Sequence, residues 1–300
     1  MKIVILAGGY AKRLWPLTLW RPKPLLPVAG RPILDYLFEG MSPGAVPILS
    51  VNRRFADHFA AWLSGSGYRA ELVIEETRSE EEKLGAVGAL AHLVERLGID
   101  EDLLVVGGDN IFPFTLGEFV AAYSGRTLVA LYRLGDRAAA RRYGVAEVRD
   151  NRVVRFVEKP GDPPSDLVST ACYLFPARIL PFFNRFLREA EKGKDAPGYF
   201  LQWLLSREEI EAFVFDGPWF DIGSRDAYIR ANLHFNGGRS WIASEAETPG
   251  SVIEESVVLG RARIVDSELR GCVVDEDVNL VGVELSQVII GRGSDIRRVP

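Results

Sequence analysis

Residues 1–28 read MKIVILAGGYAKRLWPLTLWRPKPLLPV. Apolar Ile3 to Leu6 stop at Gly8 and Gly9, and the proline-studded segment that follows carries four cations, Lys12, Arg13, Arg21 and Lys23. The apolar run reads as a short, fully buried strand that ends at a sharp turn. Paired glycines there let backbone N–H groups come close to a ligand, and exposed N–H groups beside cations select an anion. Arg13 can span two phosphate oxygens and Lys23 supplies a point charge. Lys12 and Arg21 read as solvated. The stretch lacks the third glycine of a dinucleotide fingerprint, and G-x-x-x-x-G-K-[ST] is absent. Taken alone, the glycine pair fits a plain turn as well as a phosphate cradle.

Outward from this stretch, apolar runs at Ile3–Leu6, Val46–Val51, Leu72–Ile74, Leu103–Val106 and Leu128–Leu131 alternate with helical periods near Ile33–Met41, Phe55–Leu63, Val87–Leu97 and Leu116–Tyr123. The alternation predicts an α/β layered sheet with helices on its faces. Ligands of such sheets bind beyond the carboxyl ends of the strands, where Gly8–Gly9 and Gly107–Gly108–Asp109 fall. YGVAEVRDNRVVRFVEKP (143–160) reads as a hairpin turning at Asp150–Asn151. WFDIGSRDAYIRANLHF (219–235) reads as a strand, a glycine turn and a helix capped by Ser224. The Gly-, Ser-, Glu- and Thr-rich residues 237–250 read as a linker. Beyond Gly250, SVVLG, SELRG and SQVIIG recur with apolar residues six apart, which predicts a parallel β-helix.

The chain has 300 residues, 47% of them hydrophobic, enough for one large or two moderate domains. Its net charge of -5, with both signs interspersed, gives no footprint for nucleic acid or an anionic membrane. Cys172, Cys272 and three histidines form no zinc-like spacing and argue against a disulfide scaffold. No leader pattern and no run near eighteen apolar residues is found, so a cytoplasmic location is the expectation.

Two aspartates share one local context, an apolar strand followed by turn glycines: Asp109 in LLVVGGDN and Asp221 in WFDIGS. Each could be a simple cap; together they suit a magnesium ion on phosphates, which needs only one or two protein carboxylates. Glu158–Lys159 could be a surface ion pair, or a carboxylate for sugar hydroxyls beside an ammonium for a phosphate.

The ordered set LAGGYAKRLWPLT, RPKPLLPVAGRPILDY, LGAVGAL, GGDN, YGVAEV, VEKP and WFDIGS resembles the sugar-1-phosphate nucleotidylyltransferase family over about Met1–Asn236, and the tail resembles the left-handed β-helix of its longer members. The resemblance implies a Rossmann-like mixed sheet flanked by helices over residues 1–236, then a linker (237–250) and a short left-handed β-helix (251–300). It implies that Leu6, Gly8, Gly9, Gly85, Ala86 and Gly88 bind the nucleotide, with Gly8 and Gly9 giving N–H groups to the triphosphate. Arg13, Lys23 and Lys159 would be catalytic, Arg13 and Lys23 on the triphosphate and Lys159 on the sugar phosphate. Gly144, Glu158, Lys159 and Ser169 would meet the sugar, and Asp109 and Asp221 would hold Mg2+. The implied reaction is NTP plus sugar-1-phosphate giving NDP-sugar plus pyrophosphate, with GTP and mannose-1-phosphate favoured slightly over thymidylyl or uridylyl transfer to glucose-1-phosphate. A non-catalytic, sugar-nucleotide-binding subunit is the rival of another class.

Three departures from the family pattern bear on the site. Ala11 and Lys12 stand where a second glycine and a hydroxyl are usual. A long acidic run, TRSEEEK, precedes LGAVGAL. STACYLF replaces the usual Asn-Ala-Gly-Ile-Tyr, with Ser169 at the asparagine and Ala171 at the glycine. The tail has no histidine and reads as structural. Its apolar Val257, Leu259, Val273, Val278, Val288 and Ile290 call for a partner surface, which is the nucleotidylyl domain, another subunit or both, and a homo-oligomer, dimer or larger, is expected.

Overall fold

The computed structural model describes residues 1–77, 79, 82, 84–190 and 196–298. The chain divides into two compact units. One comprises Met1–Gly9 and Leu37–Trp219, and the other Tyr10–Tyr36 and Phe220–Pro300.

The first unit is built on a nine-stranded mixed sheet. In chain order its strands are β1 (Lys2–Leu6), β2 (Ile48–Asn52), β3 (Glu71–Glu75), β4 (Leu103–Gly107), β5 (Thr127–Arg133), β6 (Gly144–Arg149), β7 (Arg152–Glu158), β8 (Leu167–Phe175) and β9 (Ile210–Phe215). Their spatial order is β3-β2-β1-β4-β8-β5-β9-β7-β6. The first four run parallel, and β8 enters antiparallel to both β4 and β5. Continuous apolar runs such as LLVVG in β4 are wholly buried, as a sheet covered on both faces requires. Helices Gly85–Leu97, Leu180–Glu189 and Pro197–Leu204 pack on one another, and their Val87, Leu90, Phe183, Phe186 and Phe200 enter the same core as Val4, Val105 and Val129. The hairpin forms as read: Asp150 and Asn151 take φ of 48° and 60°, the left-handed pair of a type I′ turn. Among the described residues no helix is long and apolar enough to cross a membrane.

The second unit contains a parallel β-helix of three ladders. Val257–Val258 stacks on Val273–Val274 and that on Ile289–Ile290, each step being 16 residues. Interior Val258, Ile264, Leu269, Cys272, Val274 and Leu280 form its core. The recurring serines have a bonding role: Ser256 Oγ accepts from the Cys272 N–H at 3.0 Å and Ser267 Oγ from the Val283 N–H at 3.1 Å, tying each coil to the next.

Two expectations change here. Trp241–Ile242 already pairs parallel with Val257–Val258, so the ladder begins inside the segment read as a linker. A coil takes 16 residues rather than three hexapeptides, because tight turns carry the chain round the corners at Glu255, Arg261, Asp266, Asp277 and Gln287 in left-handed conformations. Of the tail residues expected to need a partner surface, Val257, Leu259, Val273, Val278 and Ile290 are buried within the chain, and Val288, at 37%, is exposed.

Candidate active site

In the first unit, Gly8 and Gly9 follow β1, as the sequence predicts, and buried polar residues of the neighbouring strand β2 hold the turn. The Ala7 N–H donates to Ser50 O at 2.8 Å, and Asn52 Nδ2 donates to Gly8 O at 3.0 Å. A side chain at Gly8 would press on the Glu75 carboxylate, its Cβ 3.2 Å from Oε1, while Gly9 faces open space. Leu6, Gly8, Gly9, Glu75, Gly85, Ala86 and Ala89 line a cavity of about 190 Å³. The lining thus includes five of the six residues read as nucleotide-binding; Gly88 is not in it, and a Cβ there would lie 3.2 Å from Leu84 Cβ.

Glu75 is a residue of this wall that the sequence reading missed. Its carboxyl is pushed above the usual range, chiefly by burial, while the Ser50 hydroxyl, donating to Oε1 at 2.6 Å, and His92 pull the other way. The available signal was a glutamate closing a strand at the ligand-bearing end of a parallel sheet.

Asp109 lies past the end of β4, half-buried. Buried Asn110 donates from Nδ2 to Asp109 Oδ1 at 2.8 Å and accepts from Trp219 Nε1 at 2.9 Å, so an indole fixes the amide and the amide orients the carboxylate. Gly107 is required below it: a Cβ there would lie 2.7 Å from Ala171 Cβ and 3.1 Å from Asp109 Oδ1.

The residues read for the sugar are grouped at the far end of the hairpin. The Glu158 side chain is only 8% exposed and Lys159 Nζ stands 3.8 Å from its Oε1. Gly144 and Gly198 clear room for that carboxylate, since a Cβ at Gly144 would lie 2.7 Å from Oε2 and one at Gly198 would overlap it. Lys159 is left-handed, at φ 47°, with its N–H on Tyr143 O. Ser169 Oγ lies 3.5 Å from the hydroxyl of Tyr173, whose phenol burial pushes up in pKa, so it stays neutral; the negative charges of Glu158 and Asp109 act in the same direction. Gly198 and Tyr173 are additions to the sequence reading.

In the second unit, Arg13 belongs to a one-turn helix, Lys12–Leu14, entered from left-handed Ala11 at φ 50°. A Cβ at Gly223 would lie 3.1 Å from Arg13 Nη2 and 3.6 Å from Asp221 Oδ1, so both side chains border that glycine. Lys23 opens the turn Lys23–Leu25. Arg21 is not solvated: its side chain is 14% exposed and paired with Asp275.

Among the described residues no three His, Cys, Asp or Glu side chains cluster as a metal cage. Oriented hard oxygen donors such as Asp109, presented singly, suit magnesium that is also held by phosphates.

A crystal structure from Bacillus anthracis, provisionally named a glucose-1-phosphate thymidylyltransferase, superposes with a TM-score of 0.65 at 24% identity, covering 78% of this chain and 94% of that one. The fold is therefore of the mixed α/β nucleotide-sugar transferase class. Residues 2–237 match the family described as nucleotidyl transferase, and the chain belongs to that family. A Sulfolobus acidocaldarius protein provisionally named mannose-1-phosphate guanyltransferase is 29% identical over 77% of this chain; the match spans 62% of that relative's length. The mannose-1-phosphate guanylyltransferase of Mycobacterium tuberculosis is 27% identical over 92% of this chain and 80% of its own.

Proposed function

We propose that the chain joins a nucleoside triphosphate to a sugar-1-phosphate, releasing pyrophosphate, and that its preferred pair is GTP and mannose-1-phosphate. A sugar-phosphate oxygen attacks the α-phosphorus in line, and the bond from that phosphorus to the bridging oxygen of pyrophosphate breaks. Two anions must meet: at 4 Å, unit like charges repel by roughly 4 kcal/mol at an effective dielectric of 20. Arg13 and Lys23 hold the triphosphate and the charge growing on the leaving group, and Lys159 holds the sugar phosphate. Glu158 accepts from sugar hydroxyls. Asp109 and Asp221 are the residues to hold magnesium, which when bound would neutralise phosphate charge.

The observation that carries the base assignment is Glu75 in the wall of the cavity beside Gly8, Gly9, Gly85 and Ala86. An ionised carboxylate only accepts hydrogen bonds. Guanine offers two adjacent donors, N1–H and the 2-amino group, whereas uracil and thymine offer one N–H between two acceptors. The relatives' names favour guanylyl transfer, while the similar crystal structure carries a thymidylyl name. Pyrophosphate release measured for ATP, CTP, GTP, UTP and dTTP against mannose-1-phosphate and glucose-1-phosphate tests the reading. GTP with mannose-1-phosphate should give the highest kcat/KM. Preference for UTP or dTTP would overturn the base assignment, and no release with any pair would overturn the reaction.

A further inference from the structure

Residues 16–30, between Arg13 and the end of the signature segment, are fastened at several points within the second unit. Arg21 Nη2 lies 2.8 Å from Asp275 Oδ1, and Nη1 lies 3.2 Å from Glu276 Oε1. Asp275 is wholly buried on the β-helix, its N–H bonded to Ile290 O, and its Oδ2 has no hydrogen-bond partner among the described residues. On either side of this pair the packing is close. A Cβ at Gly291 would come within 2.7 Å of Pro16 Cγ, and one at Gly30 within 3.2 Å of Trp241. The Tyr228 hydroxyl donates to Pro27 O at 2.5 Å, and Asn232 Oδ1 accepts from the Ala29 N–H at 2.9 Å.

A charge buried this deeply is tolerated only when paired, and its removal leaves the partner stranded. Arg21 lies two residues before Lys23, with prolines at 22 and 24 that stiffen the connection. Where Arg21 sits therefore sets where Lys23 starts.

We propose that Arg21 and Asp275 are positioning residues for the nucleotidyl transfer, a brace by which the β-helix holds the segment bearing Arg13 and Lys23 in its working conformation. The tail is then part of the catalytic apparatus rather than a module for assembly alone. This inference rests on the role proposed for Arg13 and Lys23, which the test separates from the brace itself.

The test compares the full chain with its Asp275→Ala, Asp275→Asn and Asp275→Glu variants, and with the apolar double variant Arg21→Met/Asp275→Leu. Each is assayed for kcat and both KM values, for hydrogen exchange in peptides covering residues 17–28, and for thermal unfolding. Asp275→Ala should lower kcat roughly 10- to 100-fold, the scale of a small misplacement of catalytic groups. The KM for sugar-1-phosphate should stay within about twofold, exchange in 17–28 should rise, and Asp275→Glu should recover part of the loss. The double variant should regain melting temperature without regaining kcat, which a purely stabilising pair would not show. If Asp275→Ala does not fold, Asp275→Asn, nearly isosteric, carries the same criteria. Folded Asp275 variants with unchanged kcat and unchanged exchange would overturn the brace. If the unaltered chain turns over no substrate pair, the reaction assigned above fails, and exchange alone decides whether Asp275 orders the segment.

Discussion

The hydroxyl of Ser50 donates a 2.6 Å hydrogen bond to Oε1 of Glu75, which leaves a carboxyl only 8% exposed beside the glycine turn after β1. Burial raises the folded-state pKa of Glu75 above its unfolded value. The sign follows from linkage: its contribution to stability is complete below the unfolded carboxylate pKa and is lost as pH rises through the raised value. Glu75→Gln, which keeps an acceptor for Ser50, should therefore melt higher than the unaltered chain at about pH 8, with the difference closing near pH 4. The same change should cost GTP about tenfold or more in kcat/KM, the scale of a hydrogen bond to a charged group, and narrow the preference over UTP. A variant that melts lower at pH 8, or keeps its GTP preference, contradicts this reading.

Gly198 lies in the helix Pro197–Leu204, where alanine would ordinarily be the better residue by about 1 kcal/mol. Its Cβ would displace the Glu158 carboxylate. Gly198→Ala should leave melting within a few degrees, raise the KM for sugar-1-phosphate about tenfold and leave the KM for NTP nearly unchanged. A rise confined to NTP would reverse the sugar assignment.

Ala11 holds a φ of 50°, and Thr18 Oγ1 donates to its carbonyl at 2.9 Å. A left-handed residue with a Cβ costs about 1–2 kcal/mol, against the 0.4–1 kcal/mol of extra unfolded-chain entropy that glycine brings. Ala11→Gly should thus be neutral or stabilising by up to about 1 kcal/mol in denaturant melts. A loss beyond about 1 kcal/mol would show that the Ala11 methyl makes a contact worth more than the strain.

Chelation with EDTA should stop pyrophosphate release and added magnesium restore it. Asp109→Ala and Asp221→Ala should each remove most turnover while circular dichroism remains that of the folded chain. Full turnover by either variant at ordinary magnesium would remove that residue from the proposed metal site.

Much of this architecture was legible because its signals are local. The strand before Gly8, the turn at Asp150–Asn151 and the Ser224 cap, whose hydroxyl accepts from the Ala227 N–H at 3.3 Å, each depend on neighbours in sequence. What escaped depends on distant residues. Arg21 read as solvated because its partner is 254 positions away. Gly198 carries no signal of its own, because the Glu158 carboxylate it makes room for comes from a strand 40 positions earlier. Glu75 was hidden by the acidic run behind it, from which only burial separates it. Arg78, Glu80, Glu81 and Lys83 of that run lie outside the described residues.

The second unit takes its first piece from Tyr10–Tyr36 and the remainder from Phe220 onward. A chain leaving the ribosome at 5–20 residues per second makes the segment proposed to bind phosphate roughly ten seconds or more before the partners it packs on. During that interval Arg13 and Lys23 belong to an unfinished structure. The order of synthesis thus acts as a completeness check, since nascent chains stalled before Phe220 should hold no triphosphate, and activity should arrive only once the coils carrying Asp275 have emerged. Tight triphosphate binding by chains stalled before Phe220 would contradict it.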